Sequence, residues 1–490
     1  MYKQKKIVPY ITWNEYLFIY LAIFITFLFV YFLPSVFSWI PVLILLIQYL
    51  FSNNKNDYIW IAVFFVFMIA PAGFFGETEG NLSKRLPLIT ITSDASLQVI
   101  DLFIFITLIK AIRKQVKYSF YFKKELIILL LYAGLLIFFA IFYHKTSIFS
   151  LADHLRVFFY FSLLYSIPVL FKYKYHNFFR IIKLTSPLIF IIFVGALYFL
   201  LSNGQYLYDT IIPNQALLGK ASLALDKEVI SGRFMFHGNE FAFTYLLLVI
   251  GLCFFSLKPK SYYWLLISVL SLIIIIISAT RSWFVLGVII FGVFFVINKK
   301  IFLKKIMVLL SILLLFAGIL SSSQILQKGL NASWQRINTL FSLGQEESDA
   351  TKTIQYKIQN RLPRALDRIQ SRPYLGWGFT KKSGGSDVGV FGHIVQVGFI
   401  GFFLFALLWF KYYKILLKKK KLLSVYGYLR EKKVIIILIT GFSGLILSHF
   451  TTNQIFGYVN RPELVSLYLI SSDFIVRIMD KNYIQDARIT

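Results

Sequence analysis

The chain has 490 residues, 58% of them hydrophobic and 15% charged, with a mean hydropathy of +0.72. A water-soluble protein of this length has no interior large enough for so much Phe, Ile and Leu, so the composition argues for repeated bilayer crossings. The formal net charge of +29 is a possible nucleic-acid signature, but the basic residues stand in short links between apolar runs rather than on a soluble module, which argues against that partner.

About fourteen apolar runs serve as candidate spans, and each must be helical because hydrocarbon offers no partner to free backbone groups. In chain order they are 16–33, 36–51, 58–75, 96–112, 126–142, 154–171, 184–201, 238–256, 261–279, 283–297, 303–320, 391–410, 434–450 and 462–478. The expected fold class is all-α: a polytopic integral membrane protein of about fourteen transmembrane helices with a long extracytoplasmic helical loop. The opening MYKQKK precedes a long apolar run without a small-residue cleavage site, so the first helix is expected to be retained. Lys3, Lys5 and Lys6, the cluster Arg113, Lys114, Lys117, Lys123 and Lys124, then Lys299, Lys300, Lys304 and Lys305, and finally Lys418 to Lys421 fall on alternate links. The positive-inside rule then puts both termini of a multi-pass membrane protein in the cytoplasm. The lone Cys253 rules out an intrachain disulfide and a Cys-based metal site.

Three regions follow: 1–320, with eleven spans and outer loops 76–95 and 202–236; 321–390, a large outer loop; and 391–490, with three spans and an inner tail. In the first outer loop, Glu77 and Glu79 are either a solvated pair or paired carboxylates. Asp153, His154 and Arg156 open the sixth span, where they can line a cavity. Arg233, in Ser231-Gly232-Arg233-Phe234-Met235-Phe236-His237-Gly238-Asn239-Glu240, and Arg281, in Ser278-Ala279-Thr280-Arg281-Ser282, lie at the outer mouth, where positive charge is disfavoured. Snorkelling to headgroups explains either one alone. Together they suggest an anion site, because guanidinium groups fork onto phosphate oxygens and keep their charge.

The loop 321–390 carries ten Lys and Arg. Ser348 or Asp349 is expected to cap a helix bearing Ile354, Ile358 and Leu362; Pro363 kinks or restarts it; Pro373 ends it before a tight turn over Tyr374-Leu375-Gly376-Trp377-Gly378. Arg361, Arg364, Arg368 and Arg372 would share one face of a continuous helix, with Leu366 and Ile369 turned toward a membrane or core. That stripe reads as a solvated face or as an interfacial helix on anionic lipid. His393 opens the next span and is either a structural residue or a general base, since neighbouring guanidiniums favour the neutral imidazole. No HExxH, P-loop or βαβ-type GxGxxG motif is present.

Four segments occur in order over 232–402: Arg233 with Gly238-Asn239; the Arg281 turn; Arg361 through Ala365-Leu366 and Ile369 to Pro373-Tyr374-Leu375-Gly376-Trp377-Gly378; and Gly392-His393 followed by Gly398 and Gly401. In order and spacing they resemble the O-antigen ligase and O-antigen polymerase superfamily of bacterial membrane glycosyltransferases. The sequence departs from that pattern at Ile394, where the family usually has Asn, and at Gly238-Asn239-Glu240 in place of an Asn-Pro-Asn form. The resemblance implies an inverting, metal-independent transfer without cofactor on the outer face of the membrane. The donor would be an oligosaccharide on undecaprenyl diphosphate and the acceptor a glycan or lipid-linked glycan. Arg233 and Arg281 would hold the diphosphate, with Arg361 and Arg364 beside them; His393 would take the acceptor proton; Arg156, Asn239, Glu240 and Arg368 are secondary candidates. A polysaccharide repeat-unit polymerase is the leading expectation, with an O-antigen ligase and a lipid-linked oligosaccharide flippase as alternatives. Chain-length regulator and flippase proteins are implied partners.

Overall fold

The structure is a computed structural model of the chain, and it describes residues 12–32, 40–52, 56–69, 87–92, 95–114, 123–146, 151, 159–172, 174–201, 239–277, 281–303, 311, 318, 355–378, 389–425, 427–451 and 462–486. The helices are α1 (Trp13–Phe32), α2 (Ile40–Phe51), α3 (Asp57–Ile69), α4 (Val99–Arg113), α5 (Lys123–Phe142), α6 (Leu163–Leu170), α7 (Tyr175–Leu201), α8 (Asn239–Leu257), α9 (Tyr262–Ile277) and α10 (Arg281–Leu303). A π-helical turn (Lys357–Arg361) leads into α11 (Leu362–Ser371), followed by α12 (Val390–Val425), α13 (Leu429–Thr451) and α14 (Pro462–Asp486). Apart from the π turn and α11, which lie in the loop 321–390, they fall on the expected apolar runs; the eleventh run, 303–320, lies mostly outside the described residues.

Among the described residues, the regular structure is helical apart from one antiparallel hairpin, β1 (Pro87–Thr92) with β2 (Ala95–Gln98), in which Thr92 faces Ala95 and Pro87 faces Gln98. The alternating β-branched run Ile89-Thr90-Ile91-Thr92 suits a pleated strand. The fourth apolar run therefore starts as strand and turns helical only at Val99.

Among the described residues, α5 and α12 are each long and apolar enough to cross a membrane. Helix α5 is apolar all round. Leu126, Leu129, Ala133, Leu136 and Ala140 are buried, while Ile127, Leu131, Leu135, Phe138 and Phe142 form an exposed stripe at helical spacing. In water that stripe would be a large unfavourable surface.

Contact clustering divides the chain into two units. The first comprises Met1–Phe120, Phe159–Asp226 and Val465–Thr490. Its core includes the stacked rings of Phe64 and Phe103, 4.9 Å apart. Lys110 is buried, and its Nζ lies 2.9 Å from Asp57 Oδ1, 2.9 Å from Tyr49 O and 2.8 Å from Ser52 O. A buried ammonium is tolerable only with its charge paired and its three donors occupied, as they are here. Arg180 of α7 pairs with Glu15 of α1, which also accepts from the Tyr58 hydroxyl.

The second unit comprises Tyr121–Phe158 and Lys227–Leu464. Helix α8 packs on α9 and α13, and Phe254 stacks on Trp264 at 4.6 Å. Lys411 of α12 pairs with Glu125 of α5, and Lys433 reaches Asn298 of α10, whose Nδ2 donates to Ser256 Oγ at 3.2 Å.

Candidate functional site

Helix α12 is broken. Gly398 has φ +67° and ψ −178°, so the N–H groups of the residues that follow cannot reach the carbonyls four residues back. The turn after α11 fills the gap with its own backbone. Trp377 N–H donates to Val395 O and Gly378 N–H to Gln396 O, each at 2.8 Å. In return, Phe399 N–H donates to Pro373 O at 2.8 Å and Ile400 N–H to Tyr374 O at 3.2 Å. The last disrupted pair is bridged by one side chain: the Tyr132 hydroxyl of α5 donates to Val397 O at 2.6 Å and accepts from Gly401 N–H. The backbone groups freed by the break are thus satisfied within the protein, as their burial demands.

Two glycines allow this approach. A Cβ on Gly398 would lie 2.1 Å from Tyr374 O, and one on Gly376 would lie 2.5 Å from Gly398 N. Gly376 also has φ +66°, which L side chains rarely adopt.

The exchange docks the described end of the loop 321–390 on the short arm of α12 that carries His393. Ala365 and Ile369 of α11 pack on Ile394 and Val395, with Trp377, Val390 and Phe402 around them. His393 is fully buried, edge-on to the rings of Phe402 at 5.8 Å and Phe405 at 5.0 Å, and its N–H donates to Gly389 O. Pro363 stands at the start of α11, and the helix stops before Pro373, as expected.

The arginine stripe differs from expectation. Arg361 belongs to the π-helical turn and Arg372 (φ −148°) has already left the helix, so only Arg364 and Arg368 lie on α11 itself. A shared face at offsets 0, 3, 7 and 11 requires one uninterrupted α-helix, and the π turn and the Pro373 stop remove both ends. Arg364 is exposed, while Arg361 and Arg368 are half-buried. Arg361 lies 5.5 Å from the Tyr356 ring. Arg372 lies over the Trp377 ring at 4.4 Å and contacts Nε2 of His144, just past the end of α5. Neither His144 nor Tyr132 had a sequence signal, because their roles depend on partners more than two hundred residues away.

Comparison with known proteins found no matching family model, no similar curated protein and no similar solved structure.

Asn239 and Glu240 open α8, and Arg281 is the first residue of α10. Arg156, Arg233, Asp153, His154, Glu77 and Glu79, with the Ser348 and Asp349 cap, lie outside the described residues. Of the expected site, the structure brings together α11, the turn after it and the His393 arm. Among the described residues no group of three His, Cys, Asp or Glu side chains is placed to share a metal ion.

Proposed function

We propose that this chain is a polytopic glycosyltransferase of the bacterial cytoplasmic membrane, and in the first instance a polysaccharide repeat-unit polymerase. It would move a glycan from undecaprenyl diphosphate to the hydroxyl of an acceptor glycan on the outer face. The observation that carries this reading is the docking of α11 on the His393 arm, with Ala365 and Ile369 against Ile394 and Val395. Two motifs of the resemblance, far enough apart to be separate segments of chain, meet in one packed element.

The membrane part is supported by the exposed apolar stripe of α5 and by the pairing of contacts within each unit. Glu15, Tyr58 and Arg180 meet, as do Lys110, Ser52 and Asp57, and all are expected on the inner side. In the other unit Lys411 meets Glu125, likewise expected inside, while Arg372 meets His144, expected outside. Antiparallel spans require such matching of levels.

In this reading Arg233 and Arg281, with Arg361 and Arg364, neutralise the diphosphate as the glycosyl bond to it breaks. The acceptor oxygen attacks the anomeric carbon from the opposite side, and its proton passes to neutral His393. Burial of His393 keeps that step away from bulk water.

One observation bears on the flippase alternative, because discontinuous helices often mark transport sites. In α12, however, the carbonyls freed at Val395 and Gln396 are taken by Trp377 and Gly378 rather than left for a substrate. Purified protein supplied with a lipid-linked repeat unit decides the matter. A ladder of lengths is expected; single transfer to a different acceptor identifies a ligase, and movement of the donor across the bilayer without transfer overturns the enzyme reading.

A further inference from the structure

Arg372 is a charged group that the fold orients without pairing it to an acid. Its guanidinium lies 4.4 Å from the Trp377 ring and 5.8 Å from that of Tyr143. Trp377 is itself fixed, donating Nε1 to Arg368 O at 3.0 Å and its backbone N–H to Val395 O. Among the described residues, no carboxylate pairs with Arg372, and the acceptor its Nη1 meets is Nε2 of His144. A guanidinium carries five donors in a planar fork, so most of them remain for a ligand. His144 is half-buried, with its backbone N–H on Phe139 O at 3.2 Å, which holds the ring at the end of α5.

We infer that Arg372 and His144 form a subsite for a phosphate oxyanion at the outer end of α5. The oxyanion binds through the Arg372 fork, and His144, released from the guanidinium, takes up a proton and becomes a second donor to it. Without an anion the contact requires a neutral imidazole, because a charged one would face the guanidinium. With an anion both groups are cationic and shared by one ligand. Among the described residues at this end of α5 and on α11, the other charged groups are Lys145 beside His144, and Arg368, Arg364 and Asp367; the arm of α12 before its break adds only His393. Lys145 and the two arginines raise the local positive potential, and the single acid does not cancel it. Identification of the anion as the diphosphate of a lipid-linked donor rests on the glycosyl-transfer reading, whereas the binding of a phosphate oxyanion does not.

The test uses the full chain in zwitterionic nanodiscs, titrated calorimetrically with inorganic pyrophosphate at pH 7.5 and 6.0. Arg372→Ala is expected to weaken binding by about tenfold or more, with Arg372→Lys recovering part of the loss. The affinity advantage of wild type over His144→Gln is expected to grow from pH 7.5 to 6.0; this ratio is the readout because the probe also gains protons over that range. Unchanged pyrophosphate affinity in both Arg372→Lys and His144→Gln, with thermal stability reduced, marks the contact as a structural latch and overturns the proposal. These two mild variants carry the comparison if Arg372→Ala does not fold. Nanodiscs containing acidic phospholipid separate the sources. Competition with pyrophosphate that disappears in Arg372→Lys assigns the subsite to a headgroup phosphate, and absence of competition assigns it to a soluble or donor phosphate. Arg372-dependent binding in a protein that transfers no glycan leaves the subsite standing and removes the glycosyltransferase reading; transfer with Arg372-independent binding does the reverse.

Discussion

A single hydroxyl, that of Tyr132, completes the hydrogen bonding at the break in α12. Its two partners, Val397 O and Gly401 N–H, would both lose that bond in Tyr132→Phe. The expected cost is about 1–3 kcal/mol, since each buried backbone group left unpaired keeps its desolvation penalty. Chemical denaturation in detergent measures it, and stability equal to wild type would show that other groups serve those atoms. At the residue scale, the sequence offers candidates where charge conflicts with position. Arg233 and Arg281 attract attention as guanidiniums on the disfavoured side, and His393 as the imidazole opening a span. Tyr132 and His144 carry no such conflict, and nothing in their local sequence separates them from ordinary interfacial residues.

At the scale of elements, apolar length located the helices well, because a long apolar run satisfies its buried backbone most readily within itself. Pro363 and Pro373 likewise set the limits of α11, through ring geometry that acts locally. The π turn before α11, the hairpin of β1 and β2, and the break in α12 were less legible. Each depends on what lies beside it. The run from Val390 to Val425 has uninterrupted helical character, and only the presence of the Tyr374–Gly378 backbone makes a break at Gly398 favourable. Gly398→Ala puts a Cβ 2.1 Å from Tyr374 O in a backbone region that only glycine occupies readily. It should undock the turn, exposing the chain at 373–378 to protease and lowering the melting temperature, at a cost of about 2 kcal/mol or more. A variant as protease-resistant as wild type would mean that the turn holds without the glycine.

The whole molecule combines a polar, arginine-bearing element with helices whose outer faces are apolar. Its single cysteine, Cys253, is fully buried, which gives a low background for labelling. Tyr374 and Leu429 are both well exposed, at 69% and 67%, and the charge pattern assigns them to opposite sides. In intact cells a membrane-impermeant maleimide should label Tyr374→Cys and spare Leu429→Cys until the membrane is opened. Labelling of both from outside would contradict the topology. The expected sidedness rests on summed charge in the links. The packing of α11 on the His393 arm was not legible, since sequence order does not fix the spacing of distant segments in space.

The central claim is that outer-face guanidiniums grip the diphosphate of a lipid-linked donor during transfer. It is tested most directly by transfer rates in proteoliposomes for Arg281→Ala and Arg281→Lys, each compared with wild type at equal folded protein. Both rates are expected to fall by about a hundredfold or more, because Lys keeps the charge but lacks the fork. Wild-type turnover in Arg281→Ala would contradict the account.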